Sequence, residues 1–339
     1  MTKVAVIGAG SWGTSASWLL GGKGHDVSLW AREQEIAEGI NSTHHNPSFM
    51  TDIVLPDRVV ATHEIGRALE GAEVVVMVTP SVGVRTTAEA MKPFLGEEVP
   101  IIILSKGVEN GTLMLMTEVL EDVLGNRDRL AGLSGPNHAE EVGKGVPSAT
   151  VIAAYDPRVG RLFQDLFMTR FFRTYTNPDV IGVELCGASK NVIAVAAGMS
   201  DGLGYGDNTK ATLMTRGLAE MGRLGNAMGA NPLTYMGLAG VGDLIATCTS
   251  KNSRNRALGE FIGRGGTLEG FRAQTNMVAE GAFACIAVEE LGKRLGMELP
   301  ITREVRAVLY EGASLADSEE ALLGREASEE LYGLSAPEL

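Results

Sequence analysis

The sequence predicts an α/β protein with a mostly parallel sheet in its N-terminal part and an all-helical C-terminal domain. Three observations carry this. Short apolar runs alternate with amphipathic stretches through the first half, a glycine cluster separates the first such pair, and strand-like runs stop after Asn177-Pro178 while helical periodicity continues. With 339 residues the chain has room for two domains, set here at 1–178 and 179–339.

Lys3–Ile7 is a β-branched strand, and Ser11–Leu20 reads as a helix. Between them stands Gly8-Ala9-Gly10-Ser11-Trp12-Gly13, a G-x-G-x-x-G that leaves a strand and opens a helix. In that context it marks a Rossmann-type dinucleotide site. Gly8 permits the tight turn, Gly10 lets the backbone approach a pyrophosphate, and Gly13 lets helix and strand pack closely. The helix N-terminus adds free N–H groups and a positive dipole end. Asp26–Trp30 is the second strand, followed by Ala31-Arg32-Glu33. Arg32 lies about 19 residues past Gly13, where a cation suits a 2′-phosphate and an acid suits ribose hydroxyls. Arg32 favours NADP(H); the adjacent Glu33 leaves NAD(H) open.

Val74–Val78 and Ile101–Leu104 are continuous apolar runs, the pattern of strands buried on both faces. Leu130–Leu133, Ala149–Ala153 and Phe171–Tyr175 complete the strand set. Polar residues sit just past two of these strands, at Ser105-Lys106-Gly107 and at Ser134-Gly135-Pro136-Asn137. Open α/β sheets bind ligands at such ends. A lysine there also suits a solvated cap.

The C-terminal half reads as helices over Val183–Met199, Lys210–Met228, Arg256–Gly263, Ala279–Leu295 and Ile301–Tyr310. Asp207 or Asn208 is placed to cap the second, and Asp243 another. The acidic stretch after Leu315 reads as a solvated helix or a frayed end. Glu184, Gly187 and Asn191 fall on one helical face with Lys190 one position round, amid Val192-Ile193-Ala194-Val195. A lysine in apolar surroundings is costly unless paired or functional, and burial turns it into a usable proton acceptor. Snorkelling or a structural ion pair would use the same residue. Asp243 follows two glycines at a helix start. Ser253-Arg254-Asn255 offers a hydroxyl, a guanidinium fork and an amide at another, a set suited to a phosphate monoester.

The net charge of −13 excludes a broad basic face for nucleic acid and disfavours an anionic membrane surface. No stretch approaches ~20 consecutive apolar residues, so membrane insertion is not expected. Cys186, Cys248 and Cys285 are far apart, as free thiols in a reducing cytoplasm are. His44 and His45 lack metal-ligand spacing, and no Cys/His/carboxylate cluster exists elsewhere, so no metal is expected. Glycine- and alanine-rich helical faces would allow a homodimer.

Over nearly its whole length the sequence resembles the bacterial NAD(P)-dependent glycerol-3-phosphate dehydrogenases. The matching segments are GAGSWGT at Gly8–Thr14, SKGVE at Ser105–Glu109, LSGPNHAEEV at Leu133–Val142, ELCGASKNVIAVAAGMSDGL at Glu184–Leu203, GLAGVGDLIATCTSKNSRNR at Gly237–Arg256, and VAEG at Val278–Gly281. The resemblance implies interconversion of dihydroxyacetone phosphate, a small phosphorylated substrate, and sn-glycerol 3-phosphate, at the entry to phospholipid synthesis. It implies Lys190 as proton acceptor and donor, with Asn191 and Asp243 orienting it or the substrate. Cofactor contacts would come from Gly8, Gly10, Ser11, Trp12, Gly13, Arg32, Lys106, Ala139, Arg254, Val278 and Glu280. Substrate contacts would come from Lys106, Gly135, Asn137, Lys190, Asp243, Ser253, Arg254 and Asn255. Asn137-His138 stands where many members carry a small hydroxyl residue and Phe. Two alternatives share the pattern: a two-domain dehydrogenase acting on a hydroxycarboxylate, and a nucleotide sensor without turnover.

Overall fold

The structure, a computed structural model, describes residues 1–275, 278–327, 329–330 and 333. It divides into two compact units, Met1–Lys106 with Met114–Val180, and Gly107–Leu113 with Ile181–Leu339.

The first unit holds one eight-stranded sheet. In chain order its strands are β1 (Lys3–Ile7), β2 (Asp26–Trp30), β3 (Val59–Thr62), β4 (Val74–Met77), β5 (Ile101–Ile103), β6 (Leu130–Ser134), β7 (Ser148–Ala154) and β8 (Phe172–Asn177). Their spatial order is β3-β2-β1-β4-β5-β6-β7-β8, parallel throughout except for β6 against β7. The order reverses direction between β1 and β4, the switch point at which such sheets bind ligands. Register places Ile7 opposite both Trp30 and Met77, so the β1, β2 and β4 ends lie level. Alternation along β1 sends Val4 and Val6 into one hydrophobic core and Ala5 and Ile7 into another, one per face. All seven expected strands match within a residue or two at each end; β7 runs one residue longer at both ends, and β8 starts one residue later and ends two later. The edge strand β3 has no counterpart in the sequence reading, because four residues with an exposed Val60 give neither a long run nor clean alternation.

The second unit is helical, with no β-strand among its described residues. Its main helices are Val180–Gly202, Asp207–Ala227, Asp243–Thr249, Arg254–Gly263, Glu280–Arg294, Pro300–Tyr310 and Leu315–Leu323. The stretch after Leu315 is thus a helix, capped by Ser314 and Asp317, as far as Leu323. The expected caps move by a residue. Gly206 takes the N-cap place and Asp207 stands in the first turn, where its charge meets the dipole. Asp243 is also a first-turn residue, because Gly242 precedes it as cap and its carboxylate is engaged elsewhere. By length and composition Val180–Gly202 could cross a membrane, at mean hydropathy 1.5, yet 89% of that window is buried within the protein. Interspersed Gly and Ser break its apolar run without breaking the helix, which is why the sequence reading did not flag it.

Backbone contact governs how Val180–Gly202 meets Arg254–Gly263. A Cβ added at Gly259 would lie 2.0 Å from the Val195 carbonyl oxygen, and one at Gly198 would lie 2.0 Å from that of Arg256. Only glycine allows this approach. Gly198 and Gly259 are therefore consumed inside the unit. Replacing Gly259 with Ala should destabilise the protein by about 2–4 kcal/mol, whereas Gly22→Ala, facing open space at the exposed last position of the helix Ser11–Gly22, should change stability by under about 1 kcal/mol. Urea denaturation of both variants measures the contrast.

Candidate active site

The glycine turn leaves β1 with Gly8 at φ +121° and its amide donating to the Trp30 carbonyl at 3.1 Å. A Cβ at Gly8 would press on the Val78 carbonyl at 2.9 Å. One at Gly13 would lie 1.7 Å from the Gly8 carbonyl oxygen, so that position must be glycine for helix and turn to pack. Gly10 differs, since a Cβ there meets nothing within 4 Å. It is the N-cap of the helix Ser11–Gly22, whose first turn carries no acidic residue. An open cradle before unopposed helix N–H groups fits a pyrophosphate. Buried Asn46 fixes the turn, donating to the Ala9 carbonyl at 2.8 Å and to Thr14 Oγ1 at 2.9 Å. Asn-Pro after a helix carries no sequence signal of a clamp.

The expected partners of this turn occupy distinct places. Ser11 is buried in the first turn, and the Trp12 indole packs edge-on against Phe172. Arg32 and Glu33 follow β2 and pair with each other, Arg32 Nη2 to Glu33 Oε1 at 2.6 Å. Ala139 opens the short helix Ala139–Val142, and its carbonyl accepts from Ser15 Oγ at 2.8 Å, which ties it to the glycine helix.

Beyond β5, Ser105 Oγ donates to the Thr79 carbonyl, and Lys106 Nζ donates to the Gly135 carbonyl at 3.2 Å. Lys106 and Gly135 are thereby brought together. Asn137 Nδ2 donates to the Ala149 carbonyl at 2.9 Å. Two buried acceptors at these strand ends, Thr79 Oγ1 and Asn137 Oδ1, have no hydrogen-bond partner among the described residues. Unsatisfied buried oxygens call for a donor. The hydroxyls, amide and ammonium of a polar ligand site meet that requirement.

In the second unit Lys190 and Asp243 are only 5% and 2% exposed. Lys190 Nζ donates to Asp243 Oδ1 at 2.7 Å and to Thr247 Oγ1 at 2.5 Å, and the Thr247 hydroxyl donates on to the Asp243 carbonyl at 2.7 Å. Pairing with a carboxylate and a hydroxyl is what makes a buried ammonium tolerable. Thr247 was not picked out from the sequence, although its i+4 spacing from Asp243 on a helix puts both on one face. The backbone before Asp243 kinks at Gly240, φ −84° and ψ −105°, which turns the helix so that the carboxylate meets the lysine.

Asn191 and Asn255 bond each other, Asn255 Nδ2 to Asn191 Oδ1 at 2.9 Å, and Asn255 Oδ1 accepts from the Gly281 amide at 2.8 Å. Together they join three helices beside Lys190. Ser253 caps the helix Arg254–Gly263 by accepting from the Arg256 amide, and Arg254 opens that helix. Glu280 opens the helix Glu280–Arg294, two residues after Val278. Burial pushes the neighbouring Cys248 thiol up to about 12, so it is neither nucleophile nor proton carrier here. Among the described residues no group of His, Cys, Asp and Glu could hold a metal ion.

A family model described as the N-terminus of NAD-dependent glycerol-3-phosphate dehydrogenase matches residues 3–159, and one described as its C-terminus matches residues 179–320. A Corynebacterium aurimucosum protein named glycerol-3-phosphate dehydrogenase (NAD(P)+) is 48% identical over 327 residues, 96% of this chain and 98% of that one. A Moorella thermoacetica protein of the same name is 47% identical, covering 97% of each. The crystal structure of a Coxiella burnetii glycerol-3-phosphate dehydrogenase superposes with a TM-score of 0.92 at 34% identity, over 96% of this chain and 99% of that one.

The geometry makes a double-mutant prediction. Asp243→Ala strands a buried ammonium and should cost about 3–5 kcal/mol, while Lys190→Met with Asp243→Leu should recover most of the loss. Urea denaturation of the two variants measures this, and a double variant no more stable than Asp243→Ala would show the charges do not depend on each other.

Proposed function

The chain belongs to the NAD-dependent glycerol-3-phosphate dehydrogenase family, and from that premise we propose how its residues divide the work. The protein is an NAD(P)-dependent oxidoreductase that interconverts dihydroxyacetone phosphate and sn-glycerol 3-phosphate. Residues 1–178 form the dinucleotide-binding domain and 179–339 the substrate domain, a division supported by the two family matches. Glycerol 3-phosphate leaves as precursor for phospholipid synthesis. The enzyme works in the cytoplasm, a reading its three buried free cysteines support.

The buried Lys190–Asp243–Thr247 cluster carries the mechanistic reading. The bound nicotinamide supplies a hydride to C2 of the ketone, or accepts it in the reverse direction. Lys190 donates the matching proton to the C2 oxygen and takes it back during oxidation. Asp243 and Thr247 hold the ammonium in place between turnovers. Asn191, tied to Asn255 and the Gly281 amide, keeps the adjacent helical turn rigid. Arg254, at a helix N-terminus, pairs with the substrate phosphate, and Ser253, Asn255, Lys106, Gly135 and Asn137 supply further polar contacts. Gly8, Gly10, Ser11, Trp12, Gly13, Arg32, Lys106, Ala139, Arg254, Val278 and Glu280 hold the dinucleotide. The Ser253-Arg254-Asn255 segment at a helix N-terminus supports a phosphate substrate over a hydroxycarboxylate, and Lys190 in its apolar helix supports turnover over a sensor.

The test follows NADPH absorbance with dihydroxyacetone phosphate, beside unphosphorylated dihydroxyacetone. Oxidation should require the phosphate. Arg254→Ala should raise KM for the phosphorylated ketone roughly ten- to a hundredfold, the loss of a charge-assisted fork. Equal rates with both ketones, or an unchanged KM, would contradict the assignment.

A further inference from the structure

β2 ends in a rigid frame. The Ala31 amide donates to the Thr62 carbonyl at 2.9 Å, and Trp30 Nε1 donates to the His63 carbonyl at 3.0 Å. Arg32 and Glu33 therefore leave the sheet from fixed positions. Glu33 stands at the N-cap of the helix Gln34–Thr43 with extended backbone, yet its side chain makes no capping bond. A carboxylate at that place would ordinarily reach the helix N–H groups. Here it turns back on its neighbour. Arg32 Nε and Nη2 both donate to Glu33 Oε1, at 2.9 and 2.6 Å. Those two donors form the edge of the guanidinium that grips a phosphate in bidentate fashion.

We infer that Glu33 is a specificity-determining residue: by occupying the phosphate-gripping edge of Arg32 it lowers the chain's preference for the 2′-phosphorylated dinucleotide. The inference rests on the dinucleotide reading of the first unit. A 2′-phosphate must displace Glu33 from the two Arg32 donors before it is gripped, whereas a dinucleotide with a free 2′-hydroxyl leaves that ion pair intact. Arg32 is 81% and Glu33 39% exposed, so the pair is weak enough to exchange and both cofactors bind. Glu33 acts through Arg32, as a positioning residue for its guanidinium.

The experiment measures dissociation constants of NADH and NADPH by isothermal titration with the full chain at fixed salt. Glu33→Gln should raise the ratio Kd(NADH)/Kd(NADPH) roughly three- to tenfold, because the gripping edge of Arg32 is released. Arg32→Ala should lower the same ratio. Adding Glu33→Gln to Arg32→Ala should then move it by less than about twofold. An unchanged or reduced ratio in Glu33→Gln overturns the inference. So does an effect that persists in full without Arg32, which would make Glu33 a direct repeller of phosphate. Failure of the unsubstituted protein to bind either dinucleotide overturns the dinucleotide reading itself, and the inference with it.

Discussion

The second unit is arranged around one requirement, that a lysine ammonium be held inside a protein. Lys190 sits on a helix whose other residues are almost all apolar or small, where an isolated charge would be driven to neutralise or escape. Asp243 prevents both. Its carboxylate reaches the lysine only because the chain kinks at Gly240 before the helix starts, and Thr247 closes the set from the next turn of that helix. The same demand explains the glycines. Helix Arg254–Gly263 approaches Val180–Gly202 at backbone distance through Gly198 and Gly259, bringing Asn255 against Asn191, the residue next to the lysine. The lysine is thus tied to the helix Asp243–Thr249, and its neighbour Asn191 is tied through Asn255 to two more.

The first unit answers a different constraint with the same means. An anionic dinucleotide must bind a chain of net charge −13. The glycine turn does this with backbone instead of cations, placing an unobstructed Gly10 and the N–H groups of Ser11–Gly22 where a pyrophosphate would lie. Asn46 holds that turn from a distant loop, so the geometry does not depend on the ligand to form it. After β2 charge enters through Arg32, where Glu33 moderates it. Electrostatics local to each binding feature thus override the global sign.

Much of this was legible in the chain. The G-x-G-x-x-G between a β-branched run and a helix marked the turn, because Gly8 and Gly13 answer steric needs that the spacing already encodes. Lys190 stood out because a charge in an apolar helix needs an explanation, and Asp243 because two glycines precede it. What escaped was of two kinds. Thr247 and Asn46 act through hydrogen bonds made across the fold, and neither residue type is unusual where it stands. The caps at Asp207 and Asp243 were shifted because an acidic residue suits the N-cap and the first turn almost equally, and only the Gly206 and Gly242 backbones separate the two. Ser253 was seen as a ligand group and is also the cap of its helix. Strand β3 and the antiparallel turn of β6 into β7 depend on neighbours in the sheet, which no local pattern reports.

The most direct test of the account asks whether Lys190 itself moves the proton. In Lys190→Ala, primary alkylamines of graded basicity and matched size can enter the space left by the side chain. If the lysine is the proton donor to the ketone, ketone reduction should be restored in proportion to amine concentration, with a rate that follows the amine pKa. Rates independent of amine, or retention of full activity by Lys190→Ala without any amine, would show that the proton travels by another route.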